Sequence, residues 1–360
     1  MFREGELTVR LGVHGGQIRS VQIASSRTPL PPRLTLGRPA DQVAHALPLL
    51  FSICARAQGA AAASALDAAR GYTAEPATLR QRSGAVQREA VIELVSRLLI
   101  DWPRAMGTAP EVAAVARARQ AAPAQAIDVC RDIACERIYA SDPAQWLADP
   151  TLEALDRWSS AAATLTAQLL GRLLRAAPGL GRSDIRAMPE ASCAAICAML
   201  PSFDADPGFS RAPDWHGLPV ETGALARRAR HPLVAAFMAR DGNSVAARFV
   251  AQLVDLAVLL GTRDDGHAVR QHTAAPGVGI GLAETARGLL LHQAQIDTDG
   301  RVERYRVIAP TEWNFHPAGA LTHGLLGRRV TDADAARRDA TLLAQALDPC
   351  VAFTVEVVDA

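Results

Sequence analysis

One stretch of the chain predicts a β-hairpin with distinctive loop residues at both of its ends. The first strand is predicted at residues 289–296 and the second at 301–308, with a turn between them. Gly300 supplies the left-handed conformation that such a turn requires. An Arg-Gly step precedes the first strand, and the sequence Pro-Thr-Glu-Trp-Asn follows the second. Because a hairpin brings its two ends together, these two loops are expected to lie side by side.

Length, charge and termini limit the classes of protein that the chain can belong to. Its 360 residues are 49% hydrophobic, which is enough for a large buried core. A net charge of +1 favours neither a nucleic acid nor an anionic membrane as partner. The N-terminal segment has no apolar signal region, and no run approaches the roughly 20 apolar residues of a membrane span. We therefore expect a cytoplasmic protein without a membrane partner.

Hydrophobic periodicity predicts a mainly helical protein, of class α+β, with small β portions near both ends. The clearest long helix is predicted at residues 151–176, and a helix at 86–101 should end at Trp102-Pro103. Residues 104–219 are a candidate for a separable insertion. We expect a single domain over residues 1–360, with an N-terminal hairpin (1–25), a helical body (40–270), the hairpin (281–310), and a C-terminal helix with a cysteine tail (332–360).

Several motifs resemble those of [NiFe]-hydrogenase large subunits, and the resemblance implies a large-subunit-like fold. The segment 284–314 is similar to the family's E-A-P-R-G, G-x-(I/V)-x-x-Y and P-T-x-W-N. Asp348-Pro349-Cys350 is similar to the family's C-terminal D-P-C-x-x-C-x-x-H. Further matches are R-I-E-G-H-L at residues 3–7, C-G-x-C-x-x-x-H at 51–58 and E-x-G-P-L-A-R at 221–227.

The resemblance implies a metal site that has lost half of its ligands. In the family, four cysteines hold nickel and iron, and the iron also carries carbon monoxide and two cyanides. Here Cys54 and Cys350 remain, whereas Phe51 and Phe353 stand at the other two positions. Phenylalanine cannot bind nickel, so we expect no nickel, but two soft thiolates can still hold an Fe(CN)2CO fragment. Because Cys54 is at a bridging position and Cys350 at a nickel-terminal position, iron either shifts to reach both or binds one at a time.

The family's residues around the metal ligands are retained more fully than the ligands themselves. The resemblance assigns Arg287, Thr311 and Pro310 to binding of the fragment. Arg287 and Thr311 would donate hydrogen bonds to cyanide nitrogens, and an arginine can do so with charge and fixed geometry. Gln58 and Glu356 stand where the family has histidine.

The chain retains the residues that would donate to cyanide but only two of the four cysteine ligands. In this combination it resembles the large-subunit-like hydrogenase maturation proteins of the HupK/HoxV type. Those proteins are implicated as scaffolds for the Fe(CN)2CO unit. The resemblance implies a protein that is not an enzyme. Its expected partners are hydrogenase maturation chaperones and accessory proteins, with the hydrogenase large subunit as a further candidate. The chain stops four residues after Glu356, so we expect no cleavable extension.

Other functions remain open at this point. The alternative is a cysteine-poor structural subunit of a redox complex, similar to the quinone-site subunit of respiratory complex I. An active hydrogenase is disfavoured by the missing cysteines.

The individual residues also have plain structural interpretations. Cys54 and Cys350 could be buried structural cysteines, and the pairs at 130/135 and 193/197 are assigned that role because no zinc signature accompanies them. His292 is interpreted as a core or edge histidine with satisfied hydrogen bonds, and no histidine is assigned to metal. Glu4 is either a proton relay or a structural residue.

Overall fold

A computed structural model describes residues 5–27, 32–51, 53–206, 208–262 and 268–359, so Glu4 lies outside the described residues. The strands are β1 (Glu6–His14), β2 (Gln17–Ser25), β3 (Arg186–Ala187), β4 (Val220–Glu221), β5 (Val269–Ala275), β6 (Val278–Thr285), β7 (Gly288–Ile296), β8 (Val302–Ile308) and β9 (Ala352–Asp359). The first helices are α1 (Ala40–Ala46), α2 (Ala55–Ala69), α3 (Pro76–Ser96), α4 (Trp102–Ala105), α5 (Val112–Gln120), α6 (Ala126–Ile133), α7 (Pro143–Leu147), α8 (Leu152–Ala161) and α9 (Leu165–Ala176). They are followed by α10 (Cys193–Cys197), α11 (Leu200–Ala205), α12 (Ala224–Arg228), α13 (Pro232–Asp241), α14 (Val245–Gly261), α15 (Pro310–Asn314), α16 (Ala320–Leu325) and α17 (Ala333–Leu347).

The two ends of the chain meet in one sheet with the strand order β2-β1-β9. The predicted N-terminal hairpin is present as β1 and β2, and Leu7, Val9 and Leu11 of β1 are buried in the core. Strand β9 was not predicted, because the segment after Cys350 was interpreted as a tail. It pairs parallel to β1, with Phe353 opposite Leu7. The sheet therefore fixes the polypeptide on the C-terminal side of Cys350.

The predicted hairpin is present as β7 and β8, within an antiparallel sheet of order β5-β6-β7-β8. Helix α2 packs across this sheet at very short range. A Cβ atom added to Gly281 would lie 2.0 Å from the carbonyl oxygen of Ala61, and one added to Gly279 would lie 2.1 Å from that of Ala65. Only glycine permits this approach, which sets the position of α2 and of Cys54 immediately before it.

The prediction of one continuous helix at residues 151–176 is wrong, because the segment forms two helices, α8 and α9. Ala162 takes a left-handed conformation with φ of 51°, which ends α8. The hydroxyl of Thr164 then accepts a hydrogen bond from Ala167 N–H at 3.2 Å and begins α9. Thr164 is a favourable N-cap residue, and this local cap outweighs the continuous apolar stripe.

The helix predicted to end at Trp102-Pro103 continues through it. Residues Arg97–Asp101 form a π-helical turn between α3 and α4. Pro103 has no N–H to offer the carbonyl of Leu99, four residues earlier. Instead, Leu99 O accepts a hydrogen bond from Glu111 N–H at 2.8 Å. The backbone N–H of Glu111 thus satisfies the Leu99 carbonyl. The π-helical turn places Arg97 in the interior.

The helices surround α14, whose side chains are buried along most of its length. The predicted fold class, α+β and mainly α, is confirmed. Its N-cap is Ser244, which accepts from Ala247 N–H at 3.2 Å. Helix α14 packs against α3, α12, α13 and α17, so the central layer is entirely helical. Within the described ranges, no helix has both the length and the apolarity needed to cross a bilayer.

Candidate metal centre

Cys350 is held by the threonine of the Pro-Thr-Glu-Trp-Asn segment, which was predicted as a loop and forms the short helix α15. Helix α17 ends at Leu347, and Cys350 lies just beyond it, 7% exposed. The Thr311 hydroxyl donates to Cys350 Sγ at 3.0 Å and accepts from Cys350 N–H at 3.0 Å. Its one hydrogen is therefore directed at the sulfur, so in this arrangement Thr311 orients the thiol of Cys350. Pro310, the first residue of α15, is buried beside it.

Arg287 is a buried cation between two carboxylates. Its Nη2 lies 3.0 Å from Glu93 Oε2, and its Nε lies 3.1 Å from Asp348 Oδ1. The contact with Asp348 is not aligned as a hydrogen bond, and among the described residues nothing accepts from Nε. Burial disfavours the charge, but Asp348, Glu93 and the nearby Cys350 together raise the pKa of Arg287. The site thus contains a permanently charged group with an unused N–H donor.

Asp348 is the buried anion on which two arginines converge. It is the αL residue at the end of α17, with φ of 56°, and its carboxylate contacts both Arg287 and Arg97. Arg97 also pairs with Asp101 at 3.1 Å. Buried charges of this kind are tolerated only in groups, because removing one member leaves the others uncompensated.

Asn314 joins the three motif segments around this cluster. Its side-chain oxygen accepts from Thr222 N–H at 2.8 Å. Its amide nitrogen donates to Leu347 O at 3.1 Å and to Arg287 O at 3.4 Å. The two ends of the hairpin therefore lie side by side, as the sequence predicts, and the end of α17 is tied to them.

Cys54 lies at the start of α2, on the other side of the site. The side-chain amide of Gln58 donates to its Sγ at 3.6 Å. Burial raises the pKa of the Cys54 thiol to about 12, and the neighbouring Cys350 adds to the effect. Cys54 and Cys350 therefore interact electrostatically in the folded protein, although they are distant in sequence.

Glu89 of α3 caps the helix that follows Cys54. Its carboxylate accepts hydrogen bonds from Arg56 N–H at 2.8 Å and from Ala57 N–H at 3.0 Å. Burial raises the pKa of Glu89 to about 7, more than these two hydrogen bonds lower it. The pKa of the carboxyl group next to the Cys54 end of α2 is therefore close to neutral pH.

The residues at the lost ligand positions belong to ordinary structure. Phe51 is half-buried just before Cys54, and Phe353 on β9 packs against the core. Glu356 forms an exposed ion pair with Arg10 at 2.7 Å. The remaining cysteines, like Cys54 and Cys350, are free thiols. Across the described ranges, no group of three or more His, Cys, Asp or Glu residues is arranged to hold a metal ion.

Sequence reasoning missed three partners of the site. Asp348 was noted only as part of a motif, and Glu93 and Arg97 were not considered at all. Glu93 and Arg97 precede Arg287 by about 190 residues, and no local sequence pattern links them to Arg287 or Asp348. The available signal was the spacing of Glu89, Glu93 and Arg97 at four-residue intervals along one helix face.

The fold is that of a [NiFe]-hydrogenase large subunit. The [NiFeSe] hydrogenase of Dm. baculatum matches with a TM-score of 0.58 at 14% identity, over 94% of each chain. That of D. vulgaris Hildenborough matches with a TM-score of 0.57 at 15% identity, over 94% of each chain. The family model for nickel-dependent hydrogenases matches residues 233–356, which include Arg287, Thr311 and Cys350.

Full-length relatives narrow the class further. Hydrogenase expression/formation protein HoxV of Cupriavidus necator is 32% identical over 99% of this chain and 97% of its own. HupV of Azotobacter chroococcum is 34% identical and HupK of Azotobacter vinelandii is 33% identical, each over 99% of both chains. The chain belongs to this HoxV/HupK family of hydrogenase expression/formation proteins, which confirms the resemblance found in the sequence.

Proposed function

We propose that this protein is a non-catalytic scaffold of [NiFe]-hydrogenase maturation that holds an Fe(CN)2CO fragment on Cys54 and Cys350. The names of its relatives support a role in hydrogenase formation. One observation carries the finer proposal: the two cysteines interact electrostatically with each other and with the buried Arg287, whose Nε–H has no acceptor among the described residues. The expected cargo contains cyanide, whose nitrogen accepts such hydrogen bonds.

Each residue of the site has a distinct task in this proposal. Thr311 fixes the orientation of the Cys350 thiol through its two hydrogen bonds. Arg287 offsets the negative charge of cysteine thiolates bound to iron and donates to a cyanide ligand. Cys54 is a thiol at neutral pH, and iron displaces its proton on binding, as metals do at cysteine ligands.

The same residues argue against hydrogen turnover. Nickel in the family needs four thiolates, and Phe51 and Phe353 occupy two of those positions. Phe353 is part of the sheet that joins the chain ends, so its side chain is committed to packing. The proposed protein therefore carries iron without nickel. It receives the fragment from the maturation chaperones and accessory proteins and transfers it to the hydrogenase large subunit.

Infrared spectroscopy of the anaerobically purified native protein tests the proposal, with iron and nickel counted in the same sample. Cells that are actively making hydrogenase are the source. We expect cyanide and carbonyl stretching bands, iron, and no nickel. Cys54→Ala and Cys350→Ala should each remove most of the iron and weaken or abolish the bands.

Cys197→Ala is the matched control, because Cys197 is also half-buried but lies in α10, away from the site. It should retain the bands and the iron of the wild type. Absence of bands and iron from the wild type would overturn the proposal, and so would equal iron in the Cys54, Cys350 and Cys197 variants. Circular dichroism of each variant verifies that loss of iron is not loss of fold.

A further inference from the structure

A chain of hydrogen bonds reaches Cys54 from the four-stranded sheet. The Tyr305 hydroxyl lies 2.7 Å from His292 Nδ1, and His292 Nε2 lies 2.9 Å from Gln58 Oε1. Gln58 Nε2 then lies 3.6 Å from Cys54 Sγ. The chain therefore links β8, β7 and α2 and ends at one of the two candidate iron ligands.

The orientation of the Gln58 amide sets the direction of the chain. Gln58 Oε1 can only accept, so His292 Nε2 carries the hydrogen and Nδ1 accepts from the Tyr305 hydroxyl. His292 is 0% exposed, and its burial lowers the pKa of the imidazole to about 3, so the ring stays neutral. With its oxygen engaged by His292, Gln58 presents its NH2 group to Cys54.

We propose that Gln58, His292 and Tyr305 form a positioning relay that directs one N–H donor at the Cys54 sulfur. The relay orients Cys54 and moderates its electron donation to a bound metal. This second part rests on the proposed scaffold function, whereas the first applies to the protein without cargo.

The alternative orientation of Gln58 shows what the relay prevents. A flipped amide would direct Oε1 at Cys54 Sγ, and its lone pairs would repel a thiolate. The flip would also require the other tautomer of His292, with the hydrogen on Nδ1 donated to the Tyr305 oxygen, so the orientation of Gln58 and the tautomer of His292 change together. The tyrosine–histidine pair acts only through Gln58, and Gln58 alone touches the cysteine.

The relay is supported by the packing that surrounds it. Gln58 is 1% exposed and lies one turn after Cys54, whose carbonyl accepts from Gln58 N–H at 2.9 Å. The close contact of α2 with Gly279 and Gly281 prevents the helix from sliding along the sheet. His292 and Gln58 are therefore held in register by backbone contacts as well as by their own hydrogen bond.

The test uses the full-length protein without cargo and two nearly isosteric variants, Gln58→Leu and Tyr305→Phe. Iodoacetamide labelling at one fixed pH, resolved by peptide mass spectrometry, gives the reaction rate of Cys54. Removing the donor in Gln58→Leu should slow the reaction of Cys54 about tenfold, because a hydrogen bond to a charged acceptor is lost. Gln58→His, which restores an N–H donor, should recover most of the rate.

Tyr305→Phe gives a signature that a purely structural role would not produce. Without the tyrosine hydroxyl, His292 can carry its hydrogen on Nδ1, and Gln58 can then turn its oxygen towards Cys54. Nitrogen-15 NMR of labelled histidine should show the Nε2–H tautomer in the wild type and a mixture in Tyr305→Phe. Cys54 labelling should slow by about threefold, less than in Gln58→Leu.

Cys197, labelled in the same samples, is the internal control and should react at the wild-type rate. Unchanged Cys54 labelling in both variants, or equal slowing at Cys54 and Cys197, would overturn the relay. In iron-loaded protein, wild-type carbonyl and cyanide band positions in Gln58→Leu would overturn its effect on the metal. If wild-type protein carries no iron but Cys54 labelling still responds, the relay stands and the scaffold function fails.

Discussion

The hydrogen bonds that reach Cys54 come from neutral groups, whereas the residues around Cys350 form ion pairs. The neutral side consists of Gln58, the uncharged His292 and Tyr305. The charged side consists of Arg287 and Asp348 beyond the Thr311 hydroxyl, with Glu93 and Arg97 behind them. Two cysteines that look equivalent in the sequence are therefore distinct ligands.

The difference indicates how such a site can both hold and release a cargo. On the charged side, long-range ion pairs fix the end of α17 and the Arg-Gly loop, so Cys350 has a rigid position. On the neutral side, burial keeps Cys54 protonated, with a pKa of about 12. A ligand that regains its proton readily dissociates readily, so in the proposed scaffold Cys350 anchors the fragment and Cys54 completes its binding.

Removing the central anion of the charged side should have the largest effect on stability. Asp348→Asn retains the shape and tolerates the left-handed backbone, but it leaves Arg97 and Arg287 without their shared counter-ion. We expect the free energy of unfolding to fall by about 3–5 kcal/mol, as when one partner of a buried ion pair is removed. Chemical denaturation monitored by circular dichroism measures the change.

Glu356→Gln is the control, because it removes the carboxylate of the exposed pair with Arg10. Exposed pairs contribute less than about 1 kcal/mol. Similar losses in Asp348→Asn and Glu356→Gln would mean that the ion pairs around Cys350 do not stabilise the fold, and the contrast between the two cysteines would then disappear.

Displacing α2 should disturb the neutral side with a smaller loss of stability. In Gly281→Ala the new methyl group meets the backbone of Ala61 at 2.0 Å, so helix and sheet must separate. Overpacking of this kind costs about 1–3 kcal/mol. The same shift should break the contact between Gln58 and His292, which changes the labelling rate of Cys54.

Gly261→Ala provides the comparison, since a Cβ atom there meets nothing within 4 Å. It should leave both the free energy of unfolding and the labelling of Cys54 close to wild type. A Gly281→Ala protein that matched Gly261→Ala in both measurements would show that α2 does not set the position of Cys54.

The sequence predicts the parts of this structure that local patterns determine. The hairpin of β7 and β8 follows from alternation and from Gly300 at the turn, and the loops at its ends identify the site. Strand β6 was missed because its glycines weaken the strand pattern. Gly279 and Gly281 are required by the packing of α2, which is a contact between distant segments and has no local signature.

The ion pairs were unpredictable for the same reason. Asp348 contacts Arg97 across more than half the chain. The π-turn that directs Arg97 inwards depends on the backbone N–H of Glu111, which donates to the Leu99 carbonyl that Pro103 leaves without a donor. Thr311 and Arg287 were singled out from the resemblance alone. The structure adds that Thr311 is directed at the sulfur of Cys350, while its predicted bond to cyanide stays a prediction.

The last expected effect is a pH dependence that concerns Glu89, and it tests whether the Cys54 side is neutral in the folded protein. Burial raises the pKa of Glu89 from 4.5 to about 7, so the folded state keeps a proton that the unfolded state has already lost between these values. Its contribution to stability is therefore fully present below about pH 4.5 and is lost as the pH rises through about 7. Glu89→Gln, which resembles the protonated form and can still accept from an N–H of α2, should remove this dependence.

The measurement compares wild type and Glu89→Gln by chemical denaturation at several pH values, so that contributions of other groups cancel in the difference. His292, for example, acts in the opposite direction: its lowered pKa makes the protein less stable as the pH falls below about 6.5, in both proteins. The variant should gain stability relative to wild type as the pH rises from 4.5 to 7. A difference that stays constant over this range would mean that Glu89 is charged in the folded state, and that the surroundings of Cys54 are less distinct from those of Cys350 than the hydrogen bonds indicate.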